Sequence, residues 1–168
     1  PTSEGAWLPV AGAVVNPVSG EVFHAHLGGG ARLTTAAGTR SLRATAATDL
    51  GLALVGTGFG YDARRRAQQA AALRELLPVV RDIRRAGSAA LDLCAVACGR
   101  IDAYYETGLN PWDRAAGELV AREAGALVGG LHGAHPSVAL TFAVAPGLAD
   151  AFIPLVRDLT RRHLDPVG

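Results

Sequence analysis

Two strand-like runs open the chain. "WLPVAGAVV" and "EVFHAHL" flank "NPVSG", a cluster of turn-forming residues, and together they predict a β-hairpin from Trp7 to Leu27. The glycines Gly28 to Gly30 interrupt the pairing, and "ARL" continues it. The pattern then alternates between strand and helix. Leu52 to Thr57 reads as a buried strand with a glycine-rich stop. Arg64 to Leu77 carries helical periodicity and is ended by Pro78. "VVRDIRR" and "IDAYYE" read as strands, with an apolar helix between them that Ser88 caps and Gly99 ends. Pro111 to Gly125 is a helix with Trp112, Ala115, Ala116, Leu119, Val120 and Ala124 at helical spacing, capped by Asn110. "ALVGG" and "VALTFAVA" are strands around the loop "HGAHPS", and Pro146 to His163 is the last helix. Alternation of this kind predicts a layered α/β domain with a mainly buried sheet.

Composition narrows the function classes. The 168 residues suffice for one compact domain, and 49% hydrophobic against 18% charged residues suits a buried core. A net charge of +1 gives no argument for a nucleic-acid partner or an anionic membrane surface. All 16 basic residues are arginine, and with 0 Met and abundant Ala and Gly this reads as codon bias. Cys94 and Cys98 lie four apart on one helical face, as small core residues rather than a disulfide framework. No apolar run is long enough to span a bilayer, and "PTSEG" is not a leader. The expectation is a soluble, cytoplasmic protein.

The candidate chemistry gathers at helix mouths and strand ends. Asp113, in the first turn of its helix, either complements the helix dipole or offers a hard oxygen to a divalent cation such as Mg2+. Glu106 ends a strand where α/β folds place ligands, and can accept hydrogen bonds from substrate hydroxyls. Gly87, Ser88 and Ala89 form a second helix mouth, suited to ordinary capping or to phosphate and hydroxyl oxygens. Of Arg84 and Arg85, only one can share a given strand face and approach an anion there. Arg64 to Arg66 read as a solvated helix start. His24 and His26 share a strand face, and His132 and His135 a loop, but neither pair has an evident third ligand.

These pieces converge on one family. "GSAALDLCAVACGRIDAYYETGLNPWDRAAGELVAREAGA" resembles the C-terminal signature of the inositol monophosphatase family, W-D-x-A-A-G followed by E-A-G. Here these are Trp112 to Gly117 and Glu123 to Gly125, with the G-[ST]-A-A and Y-Y-E elements at Gly87 to Ala90 and Tyr104 to Glu106. The hairpin "VAGAVVNPVSGEVFHAHLGGGARL" and the segment "GTGFGYD" are also similar to that family. The resemblance implies the C-terminal part of a layered αβαβα sandwich, with residues 1–35 in the first sheet and 50–168 as the C-terminal α/β part. It implies that Asp113 binds catalytic Mg2+ and touches the substrate, and that Glu106 binds inositol hydroxyls. Gly87, Ser88 and Ala89 would line the pocket, with Arg84 as a further contact and a homodimer as the assembly. The family's upstream E-E and D-P-[IL]-D-G-T elements, which supply other metal carboxylates, are missing; the one D-P is Asp165-Pro166. The implied activity is Mg2+-dependent hydrolysis of inositol monophosphate or a related sugar phosphate. The alternatives are fructose bisphosphate, histidinol phosphate or a phosphoadenosine nucleotide as substrate, or an inactive interaction domain if these residues are the whole protein.

Overall fold

The computed structural model describes residues 8–164, so Trp7 and Asp165-Pro166 lie outside the described residues. A four-stranded antiparallel meander comes first: β1 (Ala11–Asn16), β2 (Glu21–His26), β3 (Ala31–Thr35) and β4 (Gly38–Ser41), in that order. Val14, Phe23, Ala25, Ala31 and Leu33 face inward. The opposite face carries Val15 paired with Val22, and His24 paired with Arg32. β4 goes beyond the hairpin and the "ARL" extension expected from sequence. Its residues Gly-Thr-Arg-Ser are all exposed, so backbone pairing with β3 holds it without any apolar signal.

A connector over residues 42–49 leads to the second sheet. The elements there are β5 (Leu54–Thr57), α1 (Ala63–Leu76), β6 (Asp82–Arg84), α2 (Ala89–Ala97), β7 (Ala103–Glu106), α3 (Pro111–Glu123), β8 (Leu127–Gly129), β9 (Thr141–Val144) and α4 (Ala149–His163). The strand order is β6-β5-β7-β9-β8, with β5 parallel to both β6 and β7. Three predicted boundaries shift. Leu77–Val79 form a 3-10 turn, so the strand read in "VVRDIRR" is confined to Asp82–Arg84. Leu50–Leu52 form a 3-10 turn capped by the Asp49 carboxylate, so the strand begins at Leu54. Pro146–Leu148 form another, so the last α-helix begins at Ala149. That helix tolerates Pro154 because the residue sits on its exposed side.

Two apolar clusters divide the interior. Tyr104, Val128 and Ala143 face α2 and α3, which in turn pack under the first sheet. Ala103, Tyr105, Phe142 and Val144 face the other way, toward α1 and α4. The layers therefore run sheet, helices, sheet, helices. Small residues set their spacing. A side chain at Gly117 would come within 2.9 Å of Leu93 Cβ and 3.0 Å of the Ala90 carbonyl, and one at Gly12 within 3.1 Å of Ala116 Cα. Helix α3 thus presses on α2 through Gly117 and on β1 through Ala116.

Glu123 fastens the layers. Gly28 and Gly30, both in the left-handed region at φ 74° and 73°, donate N–H bonds of 2.9 and 2.8 Å to its two carboxylate oxygens. Those donors, Gly28 first, hold the Glu123 carboxyl below the usual carboxylate range. The glycine run is a carboxylate cradle as well as a turn.

Candidate functional site

The carboxyl ends of β5, β6 and β7 point the same way, and helices α1 and α2 leave the sheet on opposite faces. A crevice at such a place is where open α/β sheets hold ligands. Here it is a cleft of ≈ 710 Å³, bordered by Gly58 to Tyr61, Arg85, Gly87 to Ala90, Glu106 to Asn110, Trp112 and Asp113.

Asp113 is placed by a reciprocal cap. Its Oδ2 accepts the Asn110 N–H at 2.9 Å, while the Asp113 N–H donates to the Asn110 backbone carbonyl at 3.0 Å in return. Its other oxygen accepts no hydrogen bond among the described residues, so one lone-pair face remains for a ligand. Glu106 is held from below: the Tyr104 hydroxyl donates to its Oε2 at 2.5 Å. The two residues share a face of β7 because they are two apart. Burial pushes the Glu106 carboxyl up, opposed by the Tyr104 hydrogen bond and the charge of Arg85. Gly58 leaves room beside it, since a side chain there would displace the Glu106 carboxylate.

At the second helix mouth the Ser88 hydroxyl accepts the Leu91 N–H at 3.4 Å, so Ser88 caps α2. Gly87 has φ 94°, a conformation only glycine adopts easily, and turns the chain into the helix. One turn into α2 lies Asp92, buried at 3% exposure. Desolvation, then the nearby charge of Glu106, pushes its carboxyl up to about 6.

The cleft therefore gathers Glu106, Asp113, Gly87, Ser88 and Ala89. It does not gather Arg84, which is half-exposed and ion-paired to Asp82 at 2.5 Å. Alternation along β6 explains this: Ile83 turns into the core, leaving its neighbours on the other face. Arg85, beyond the strand end, borders the cleft instead. Residues that sequence reasoning left without a role here are Gly58, Tyr104 and Asp92. Two of these had a signal: Tyr104 is two from Glu106 on a strand, and Asp92 is four from Ser88 on a helix.

The other candidates stay apart. His24 Nε2 lies 3.3 Å from the Thr34 hydroxyl on the outer sheet face, remote in the fold from the strand ends. Among the described residues no three His, Cys, Asp or Glu side chains group as a metal site. Cys94 is buried and Cys98 half-buried, both as free thiols, and burial pushes the Cys94 thiol up to about 12. Among the described residues no helix is long and apolar enough to cross a membrane.

The fold and cleft define a layered α/β protein with a polar, partly acidic cleft at its strand ends. The sequence profile of the inositol monophosphatase family matches residues 7–161, and the chain belongs to that family. The inositol-1-monophosphatase of Mycobacterium leprae is 53% identical over 148 residues, which is 87% of this chain and 51% of the relative. The Nus factor SuhB of Salmonella typhimurium is 41% identical over 148 residues, 86% of this chain and 54% of its own. The structure of Mycobacterium tuberculosis SuhB superposes with a TM-score of 0.81 at 47% identity, covering 90% of this chain and 60% of that one. This chain spans about half the length of the curated relatives it matches.

Proposed function

We propose that the protein carrying this chain is a Mg2+-dependent phosphomonoesterase that hydrolyses inositol monophosphate or a related small polyol phosphate. The observation that carries this reading is the meeting of Asp113, with one open oxygen, and Glu106, braced by Tyr104, on the rim of one cleft. Family membership supports the reaction class.

A single carboxylate does not make a Mg2+ site, because that ion takes several oxygen ligands. The described residues supply Asp113 as one ligand and no complete set. Bound there, the cation would supply positive charge to the scissile phosphate and its nucleophile. The chain's own residues do the rest of what can be assigned. Asp113, fixed by the Asn110 cap, holds its oxygen at the helix mouth. Glu106 accepts the hydroxyls of the polyol and orients the leaving oxygen. The α2 mouth at Gly87 to Ala89 offers backbone donors to the substrate's oxygens. Water oxygen adds to phosphorus, the bond from phosphorus to the polyol oxygen breaks, and the alcohol leaves carrying a proton. The meander and the second sheet are the C-terminal layers of the αβαβα sandwich, and the family's homodimer is the proposed assembly.

The test uses the full-length protein with inositol 1-phosphate and p-nitrophenyl phosphate in the presence of Mg2+. Glu106→Gln should raise KM for the inositol ester roughly tenfold, about one charge-assisted hydrogen bond, and leave the aryl ester within twofold. Equal effects on both esters contradict the polyol role of Glu106. A wild-type protein that releases no phosphate from either ester overturns the reading.

A further inference from the structure

Helix α1 buries one stripe, Gln69, Ala72 and Leu76, and the first of these is an amide where the spacing calls for an apolar side chain. Gln69 is only 6% exposed. A buried amide costs free energy unless its polar atoms find partners, and here both ends do. Gln69 Oε1 accepts the Gly60 N–H at 2.9 Å, and its Nε2 donates to the Thr107 hydroxyl at 3.4 Å. The two partners belong to different strand ends. β5 and β7 pair as far as Thr57 with Tyr105. Beyond that pair the chains continue as Gly58 to Tyr61 and as Glu106 and Thr107, all of which border the cleft. The Gln69 amide therefore bridges the two chains just where the backbone ladder between them stops. From the solvent side Arg66 donates to the carbonyls of Tyr61 at 2.6 Å and Gly60 at 3.3 Å, so the loop is clasped twice.

We propose that Gln69 is a positioning residue that acts through Glu106: by fixing the loop of residues 58–61 against Thr107, it seats the Glu106 carboxylate for the polyol. This rests on the phosphatase reading of the same cleft. Two neighbours carry the effect to Glu106, which Gln69 itself does not touch. Thr107 is the next residue of the chain, buried at 5% exposure. Gly58 lies against the carboxylate, with no room for a side chain between them. A loop released from Gln69 shifts Gly58 relative to Glu106 and leaves the Gly60 N–H without its acceptor. An apolar side chain of similar length would fill the α1 stripe equally well and make neither bond, so packing alone does not account for the amide. Tyr104 braces the carboxylate directly, and Gln69 fixes the chain segments around it.

The experiment uses the full-length protein in Mg2+, with inositol 1-phosphate and p-nitrophenyl phosphate as substrates. Gln69→Met should raise KM for the inositol ester about fivefold, the scale of one neutral hydrogen bond, with kcat and the aryl ester both within about twofold. A rise in KM at constant kcat marks lost substrate binding. In a Glu106→Gln background the same substitution should change KM by less than about twofold, because its effect runs through that carboxylate. Thr107→Val removes the hydroxyl at the far end of the bridge and should raise KM for the inositol ester about threefold; it carries the test if Gln69→Met does not fold. Unchanged kinetics, equal losses on both esters, a loss in kcat instead of KM, or the same loss in the Glu106→Gln background overturns the proposal. A wild type that releases phosphate from neither ester overturns the phosphatase reading and this proposal with it, whereas an active wild type with any of those patterns overturns the proposal alone.

Discussion

Asp92 is the residue whose placement runs most against its own chemistry. It is buried in α2, and its carboxyl is pushed up to about 6 from an ordinary 3.8. The folded state therefore binds the Asp92 proton more tightly than the unfolded chain does. Stability from this group is fully present below about pH 4 and is lost as pH rises toward 6. Asp92→Asn should accordingly stabilise the protein at pH 7.5 by about 1–3 kcal/mol, and the gain should vanish near pH 4. Thermal unfolding of both forms at the two pH values checks this; an asparagine variant that is less stable at pH 7.5 contradicts it. At this scale the sequence exposed the residues that sit at element ends. Glu106, Asp113 and Ser88 are legible because strand ends and helix caps have local signatures. Gly58 is not, because its role depends on which loop folds against which strand end.

Among the elements, α3 is pressed closely from two sides. Its Ala115-Ala116-Gly117 run, unusual behind a Trp-Asp pair, is explained by two close approaches, to β1 at Gly12 and to α2 at Leu93 and Ala90. Gly117→Ala would place a methyl within 3.0 Å of backbone and side-chain atoms that cannot both move. The expected cost is about 1–3 kcal/mol, the overpacking range, despite alanine's better helix propensity. Urea unfolding measures it, and a Gly117→Ala protein as stable as wild type would show that α2 and α3 are not closely packed. Helices α2 and α3 were readable because apolar spacing and caps agreed at their starts: Ser88, and Asn110 with Pro111. β4 was unreadable because it buries nothing, and the 3-10 turns at Leu50 and Pro146 blurred their neighbours because they share the same apolar runs.

For the whole molecule, four layers stack so that the mouths of α2 and α3 open at one end of the second sheet. The Glu123 carboxylate ties the first sheet to α3, and α3 carries Asp113 at its other end. The meander therefore helps to hold the helix that presents the proposed metal ligand. The outer face of the meander leaves Val15 at 57% exposure. The sequence made the family legible through the W-D and E-A-G motifs, while the packing that gives those motifs their purpose appeared only in three dimensions. The most direct measurement is the release of inorganic phosphate from inositol 1-phosphate by the full-length protein in Mg2+, with Asp113 intact and with Asp113→Asn. Asparagine keeps the helix cap but loses the charge, so the variant should remain folded by circular dichroism and lose activity by roughly a thousandfold or more, the scale of about 4 kcal/mol of transition-state stabilisation. A folded Asp113→Asn protein with near-normal turnover would contradict the account.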